Sequence, residues 1–130
     1  MTGGILLDTH VWAWSMSNSA RLSRPAHLAL AEAELRAVSP VSVFEIAQKV
    51  RLGKWQEMEA LVPTLVAAVA EQSAFWADVT PDIAHLAGML DWPHRDPFDR
   101  LIAATALVNG WVLVSADTSF DTLTGLRRIW

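Results

Sequence analysis

Apolar positions follow two rhythms along this chain. Short unbroken runs, Ile5-Leu6-Leu7 and Val112-Leu113-Val114, suit strands buried on both faces. Longer stretches between them suit helices. Asp8-Thr9-His10 ends the first run, and Val11-Trp12-Ala13-Trp14 begins a short helix. Proline suits a first helical turn, so Pro25 predicts a helix over 25–36. A second short strand is expected over 37–39, ended by Pro40. Ser42-Val43-Phe44-Glu45 has the capping-box pattern, and its helix stops at Gly53. A helix over 56–72 carries Pro63, which bends or restarts it. A strand over 75–79 follows, then a helix capped by Thr80-Pro81 and running to about residue 90. Asp96-Pro97 opens a helix that ends before Gly110, and strands are expected over 111–115 and, at an edge, over 126–129.

Strands alternating with helices predict an α/β sandwich with a short, mainly parallel sheet. Right-handed crossovers put successive strand ends on one edge, and ligands of open α/β sheets bind outside the carboxyl ends of the strands. Residues 1–130 are read as a single domain without repeats, linkers or low-complexity tracts.

Composition narrows the chemistry. With 52% hydrophobic and 18% charged residues the chain is poorly suited to disorder, and it has apolar surface to spare for a partner, whether another protein or a second copy in a homodimer. It contains no cysteine, which excludes disulfides, thiol nucleophiles and cysteine-ligated zinc and fits a reducing cytoplasm. Met1-Thr2-Gly3-Gly4 offers no basic region before the first apolar run, so no signal peptide is expected. No apolar run reaches membrane-spanning length. A net charge of -4 argues against a simple basic nucleic-acid binder, although a metal ion can reverse the local sign where a phosphate must sit.

The acids are oddly placed. Arg95-Asp96-Pro97-Phe98-Asp99-Arg100 leads directly into the apolar Leu101-Ile102-Ala103-Ala104-Thr105-Ala106-Leu107-Val108. Asp8 ends the first strand, Glu45 lies in the first turn of its helix, and Asp117 follows Val114-Ser115. Taken singly, most have a structural use. Asp96 suits an N-cap with Asp99 at N3, Glu45 is the N3 acid of the Ser42 box, and Asp117 suits a turn. Asp8 fits such a reading least: it suits an N-cap for Thr9-His10-Val11-Trp12, but its strand places it on the ligand-binding edge. Four acids converging from four segments repel one another unless a cation or protons intervene. Oxygen ligation without cysteine favours magnesium or manganese over zinc.

Other chemistries have less support. No glycine-rich phosphate loop and no Gly-x-Ser-x-Gly elbow are present. His10, beside Asp8, is read as a hydrogen-bonded structural histidine in preference to a substrate or metal contact, His27 and His85 as helix residues, and His94 as a secondary candidate just before the acidic helix.

At these residues the chain resembles the PIN-domain ribonucleases, specifically the VapC-type toxins of bacterial toxin–antitoxin pairs. The resemblance rests on Leu6-Leu7-Asp8-Thr9-His10, on Ser42-Val43-Phe44-Glu45-Ile46-Ala47-Gln48-Lys49, on His94 through Ala106, and on Leu113-Val114-Ser115-Ala116-Asp117 with Phe120. Phe44 stands where tryptophan is common in the family, and Thr105 where glutamine is common. The resemblance implies a PIN-like three-layer sandwich with Asp8, Glu45, Asp99 and Asp117 as an acidic quartet around Mg2+ or Mn2+. It also implies endonucleolytic RNA cleavage and neutralisation by a cognate antitoxin lying over the site. Asp96 is expected mainly to cap the helix and aim Asp99.

Around that quartet, Thr9 and Ser115 are expected to hydrogen-bond the acids. Arg95, Arg100 and Lys49 are placed to steer phosphate or balance charge, although Lys49 also suits a plain ion pair with Glu45 four residues earlier. Trp12, Trp14 and Trp55 are expected as exposed anchors for an antitoxin, against the alternative of a core or homodimer role. Two rivals stay open: a non-catalytic partner-binding domain whose acids are caps, and a phosphatase-like domain with Asp8 as nucleophile, which the histidine at position 10 weakens.

Overall fold

A computed structural model describes residues 3–130, so Met1 and Thr2, the start of the stretch read as leaderless, lie outside the described residues. Its sheet has five parallel strands in the order β3-β2-β1-β4-β5. These are β1 (Gly4–Leu7), β2 (Leu35–Val38), β3 (Phe75–Trp76), β4 (Val112–Val114) and β5 (Arg128–Ile129). The helices between them are α1 (Thr9–Ser17), α2 (Arg24–Glu32), α3 (Pro40–Arg51), α4 (Leu65–Glu71), α5 (Pro81–Met89) and α6 (Pro97–Asn109). Short 3₁₀ segments occupy Ser19–Arg21, Gln56–Thr64 and Thr118–Thr122.

The central strands β1 and β4 are covered on both faces, which is why they read as unbroken apolar runs. Ile5 and Leu7 join a core with Trp12, Ile46, Met58 and Leu65, while Leu6 points the other way into Ile102, Ala103, Leu113 and Phe120. Gly4 is dictated by packing, since a Cβ there would lie 2.3 Å from the indole of Trp111. Gly110 ends α6 in the left-handed conformation, with φ of 68°, that glycine adopts without steric cost. Among the described residues no helix is long and apolar enough to cross a membrane.

Local expectations failed where pairing or packing prevailed over pattern. α2 stops at Glu32 rather than near residue 36, because Leu35 and Arg36 pair with Gly4 and Ile5 of β1. From β2, the Arg36 guanidinium donates back to the Leu30 and Ala33 carbonyls at the end of α2. The cap of α3 is Ser39, whose hydroxyl accepts from the Val41 N–H, and Pro40 fills the first helical position. Ser42 therefore does not cap, and Glu45 lies beyond the first turn. β3 ends at Trp76 rather than 79, the chain turning away after the Ala77 N–H reaches the Val38 carbonyl. Pro63 lies within the 3₁₀ segment, and a regular helix restarts at Leu65.

The expected exposed anchors are also corrected. Trp12 is wholly buried and donates its indole N–H to Gln72 Oε1 at 2.8 Å. Trp55 is 92% buried on the complement of its 8% exposure, leaving Trp14 as the half-buried member of the trio.

Candidate metal centre

β1 lies at the point where strand order reverses, with β2 on one side and β4 on the other. The crevice beyond the carboxyl ends of β1 and β4 is the position such sheets offer a ligand. Asp8 follows β1 directly, its N–H held by the Val114 carbonyl at 3.0 Å. The carboxylate is fixed at both oxygens: Oδ1 accepts from the Thr9 N–H at 2.9 Å and Oδ2 from Ser115 Oγ at 2.6 Å. Ser115, just past β4, also accepts from the Asp117 N–H at 3.0 Å.

Glu45 enters from α3, buried although it makes no cap. Its Oε2 accepts from Lys49 Nζ at 2.8 Å, the expected i,i+4 pair. Thr9 and Ser42 link α1 to α3 through a 2.8 Å hydroxyl contact, so the Thr9 hydroxyl does not go to an acid as expected; only its backbone N–H does.

Asp99 occupies the first turn of α6. Asp96 caps that helix, its Oδ1 accepting from the Phe98 and Asp99 N–H groups at 2.8 and 3.4 Å. Asp99 Oδ2 meets His94 Nε2 at 2.6 Å, and His94 is steadied by Trp92, whose ring lies 4.7 Å away between centroids. Asp117 is exposed and caps the Thr118–Thr122 segment through the Ser119 N–H. Its turn role and its place at the crevice are thus compatible.

Asp8, Glu45, Asp96, Asp99 and Asp117 all open into one cavity of about 360 Å³, together with His10 and Lys49. Ligand atoms of His94, Asp99 and Asp117 lie within 4.8 Å of one another. Burial pushes the Asp8 carboxyl up to about 7, against the Ser115 hydrogen bond and with added repulsion from Asp99 and Glu45. Burial likewise raises Asp99, opposed by His94 and reinforced by the charge of Asp96. Such a cluster is short of positive charge. Its oxygen-rich donors with one imidazole fit a hard divalent cation: among the described residues His94, Asp99 and Asp117 lie close enough to share one, and Asp8 and Glu45 face the same cavity.

Arg100 departs from expectation. It turns away from the cavity, and its guanidinium donates to the carbonyls of Ala87, Leu90, Trp92 and His94 at 2.7–2.8 Å. Sequence pattern placed it beside the acids but carried no signal of the carbonyls of Ala87, Leu90, Trp92 and His94 that converge on it from the end of α5 and the segment after it. His10 stacks on Trp55 with ring centroids 4.6 Å apart, a pairing that spacing alone does not reveal. Partial desolvation lowers its pKa, with Lys49 adding to the effect.

The family model of the PIN domain matches residues 5–126. The chain belongs to the PIN-domain family. Among relatives of this PIN-domain protein, Ribonuclease VapC22 of Mycobacterium tuberculosis is 37% identical over 117 residues, spanning 87% of this chain and 86% of the relative. VapBC2 from Rickettsia felis, solved bound to a DNA fragment from their promoter, is 18% identical with a TM-score of 0.66 and 97% of each chain covered. A toxin-antitoxin complex from Klebsiella pneumoniae is 20% identical with a TM-score of 0.60, covering 97% of this chain and 96% of that one. These two likenesses establish a shared fold.

Proposed function

We propose that this PIN-domain protein is an endoribonuclease toxin that requires Mg2+ or Mn2+ and is held inactive by a cognate antitoxin. The observation that carries the reading is the buried Asp8 carboxylate, fixed at both oxygens and sharing one cavity with Glu45, Asp99 and Asp117. A divalent ion supplies Lewis acidity, lowering the pKa of water and offsetting phosphate charge.

The chain's own groups supply the rest. Thr9 and Ser115 hold Asp8 in one orientation, and His94 does the same for Asp99. Lys49 occupies only Oε2 of Glu45, leaving Oε1 to accept a proton from attacking water. Asp96 aims α6 and thereby Asp99, the role of a positioning residue. No serine, cysteine or lysine nucleophile is needed, because water attacks the phosphodiester in line and the leaving oxygen takes up a proton.

The 37% identity to Ribonuclease VapC22 supports ribonuclease activity, and the likeness to the toxin-antitoxin complex supports an antitoxin partner. Exposed apolar groups, including Phe44, Val66 and Phe75, support contact with another chain, read as antitoxin or a second copy in a homodimer. The rival in which every acid is a cap loses Glu45, which caps nothing. The phosphatase-like rival lacks a second acid two residues after Asp8, where His10 stacks on Trp55.

Purified protein freed of partner is expected to cut single-stranded RNA with Mg2+ or Mn2+ and to stop on chelation. Cleavage that persists after complete chelation overturns the metal requirement.

A further inference from the structure

A second cavity, of about 270 Å³, adjoins the acidic one, and His10, Trp14 and Lys49 line both. Its lining carries three cations against one acid, Glu57. Arg21, Lys49 and Lys54 converge there from the Ser19–Arg21 segment, α3 and the turn after Gly53, in a chain whose net charge is -4. Their charge is only partly spent. Arg21 lies 3.8 Å from Glu57, both groups about half exposed, and Lys49 holds Glu45. Lys54 is exposed.

Aromatic surface is interleaved with these cations. The Arg21 guanidinium sits 4.7 Å above the Trp14 ring, and Lys49 Nζ lies 5.4 Å from the Trp55 ring. Buried Trp55 backs His10, whose remaining surface is exposed beside Trp14. Cationic groups with an exposed, buttressed ring match the way single strands are held, by phosphate pairing and base stacking.

We propose that this cavity is a nucleotide subsite next to the scissile bond, with a phosphate among Arg21, Lys49 and Lys54 and a base against His10. The proposal rests on the ribonuclease reading and adds to it the side on which single-stranded RNA runs.

The test uses a short fluorescent single-stranded RNA with Arg21→Ala, Lys54→Ala, His10→Ala and His10→Phe, and Arg127→Ala as control. Arg127 is exposed and bonds the Gly110 carbonyl, far along the sheet from the strand ends that carry the acids. Anisotropy in chelator reads binding, and cleavage in Mn2+ reads KM. Loss of either cation is expected to weaken binding about fivefold and to lessen the log–log salt slope by about 0.7, one phosphate contact on a single strand. His10→Ala is expected to weaken binding at least about fivefold, and His10→Phe to restore it, because stacking needs only a ring. KM should rise in parallel, with Arg127→Ala unchanged. Binding, salt slope and KM that all match wild type overturn the subsite, including where the variants weaken only antitoxin capture. Wild-type protein that binds RNA through these residues yet never cuts it overturns the ribonuclease reading and leaves the subsite standing.

Discussion

Ser115 donates a 2.6 Å hydrogen bond to Asp8, tying the carboxyl ends of the adjacent parallel strands β4 and β1 together at a buried acid. The bond stabilises the ionised carboxylate against the burial that opposes it. Ser115→Ala removes that support, so Asp8 should hold its proton to still higher pH. Because cation binding needs the ionised form, the acid limb of the pH–rate profile is expected to move upward by about one pH unit, with roughly fivefold less activity at neutral pH. An unmoved profile would show that the Ser115 hydroxyl does not tune the site.

Burial of Asp8 also makes metal-free stability depend on pH. Its carboxyl has an ordinary value of 3.8 and is pushed up to about 7 in the fold. Below the lower value both states are protonated. Between the two, the unfolded chain releases a proton that the fold retains, so stability falls as pH rises. Above the upper value the loss is complete, at most roughly 4 kcal/mol. Denaturant melts in chelator should therefore show greater stability at pH 5 than at pH 8, a difference that Asp8→Asn largely abolishes. Equal slopes in the two proteins contradict the buried-acid account.

Asp96 and Asp99, three residues apart, should separate cleanly. Asp96→Ala leaves two N–H groups of α6 uncapped and should cost about 1 kcal/mol, a fall in Tm of roughly 3–5 °C, with cleavage retained at lower temperature. Asp99→Asn should keep the melt and lose cleavage. The reverse pattern exchanges their roles.

Arg100 is expected to matter for stability rather than for chemistry. Its guanidinium serves four carbonyls in fixed directions, and lysine, a single point charge, cannot reproduce that fork. Arg100→Lys and Arg100→Ala should both destabilise by at least about 2 kcal/mol in urea melts. Lysine rescue would indicate that charge alone suffices.

The strands buried on both faces and the helices marked by proline and glycine punctuation were legible from the chain alone. So was the convergence of Asp8, Glu45, Asp99 and Asp117 on one crevice, because strand ends and helix starts share an edge in a parallel sheet. Features fixed by distant contacts were not legible. Arg36 follows a helical pattern locally, yet pairing with Ile5 draws it into the sheet. Ser42 matches a capping box, yet Pro40 starts the helix earlier and frees Ser42 for Thr9, 33 residues away in sequence. Trp12 suits an anchor by type, but only the fold supplies Gln72 to satisfy its indole in the core.

The claim that these acids form one cation-dependent cleavage centre is tested most directly by titrating Mn2+ into wild type, Asp8→Asn and Asp99→Asn. Calorimetric binding and RNA cleavage would be followed on the same samples. The account predicts saturable binding and metal-dependent cleavage in wild type, with both weakened together at least about tenfold in each folded variant. Wild-type cleavage that either variant retains in full, with unchanged Mn2+ affinity, would contradict it.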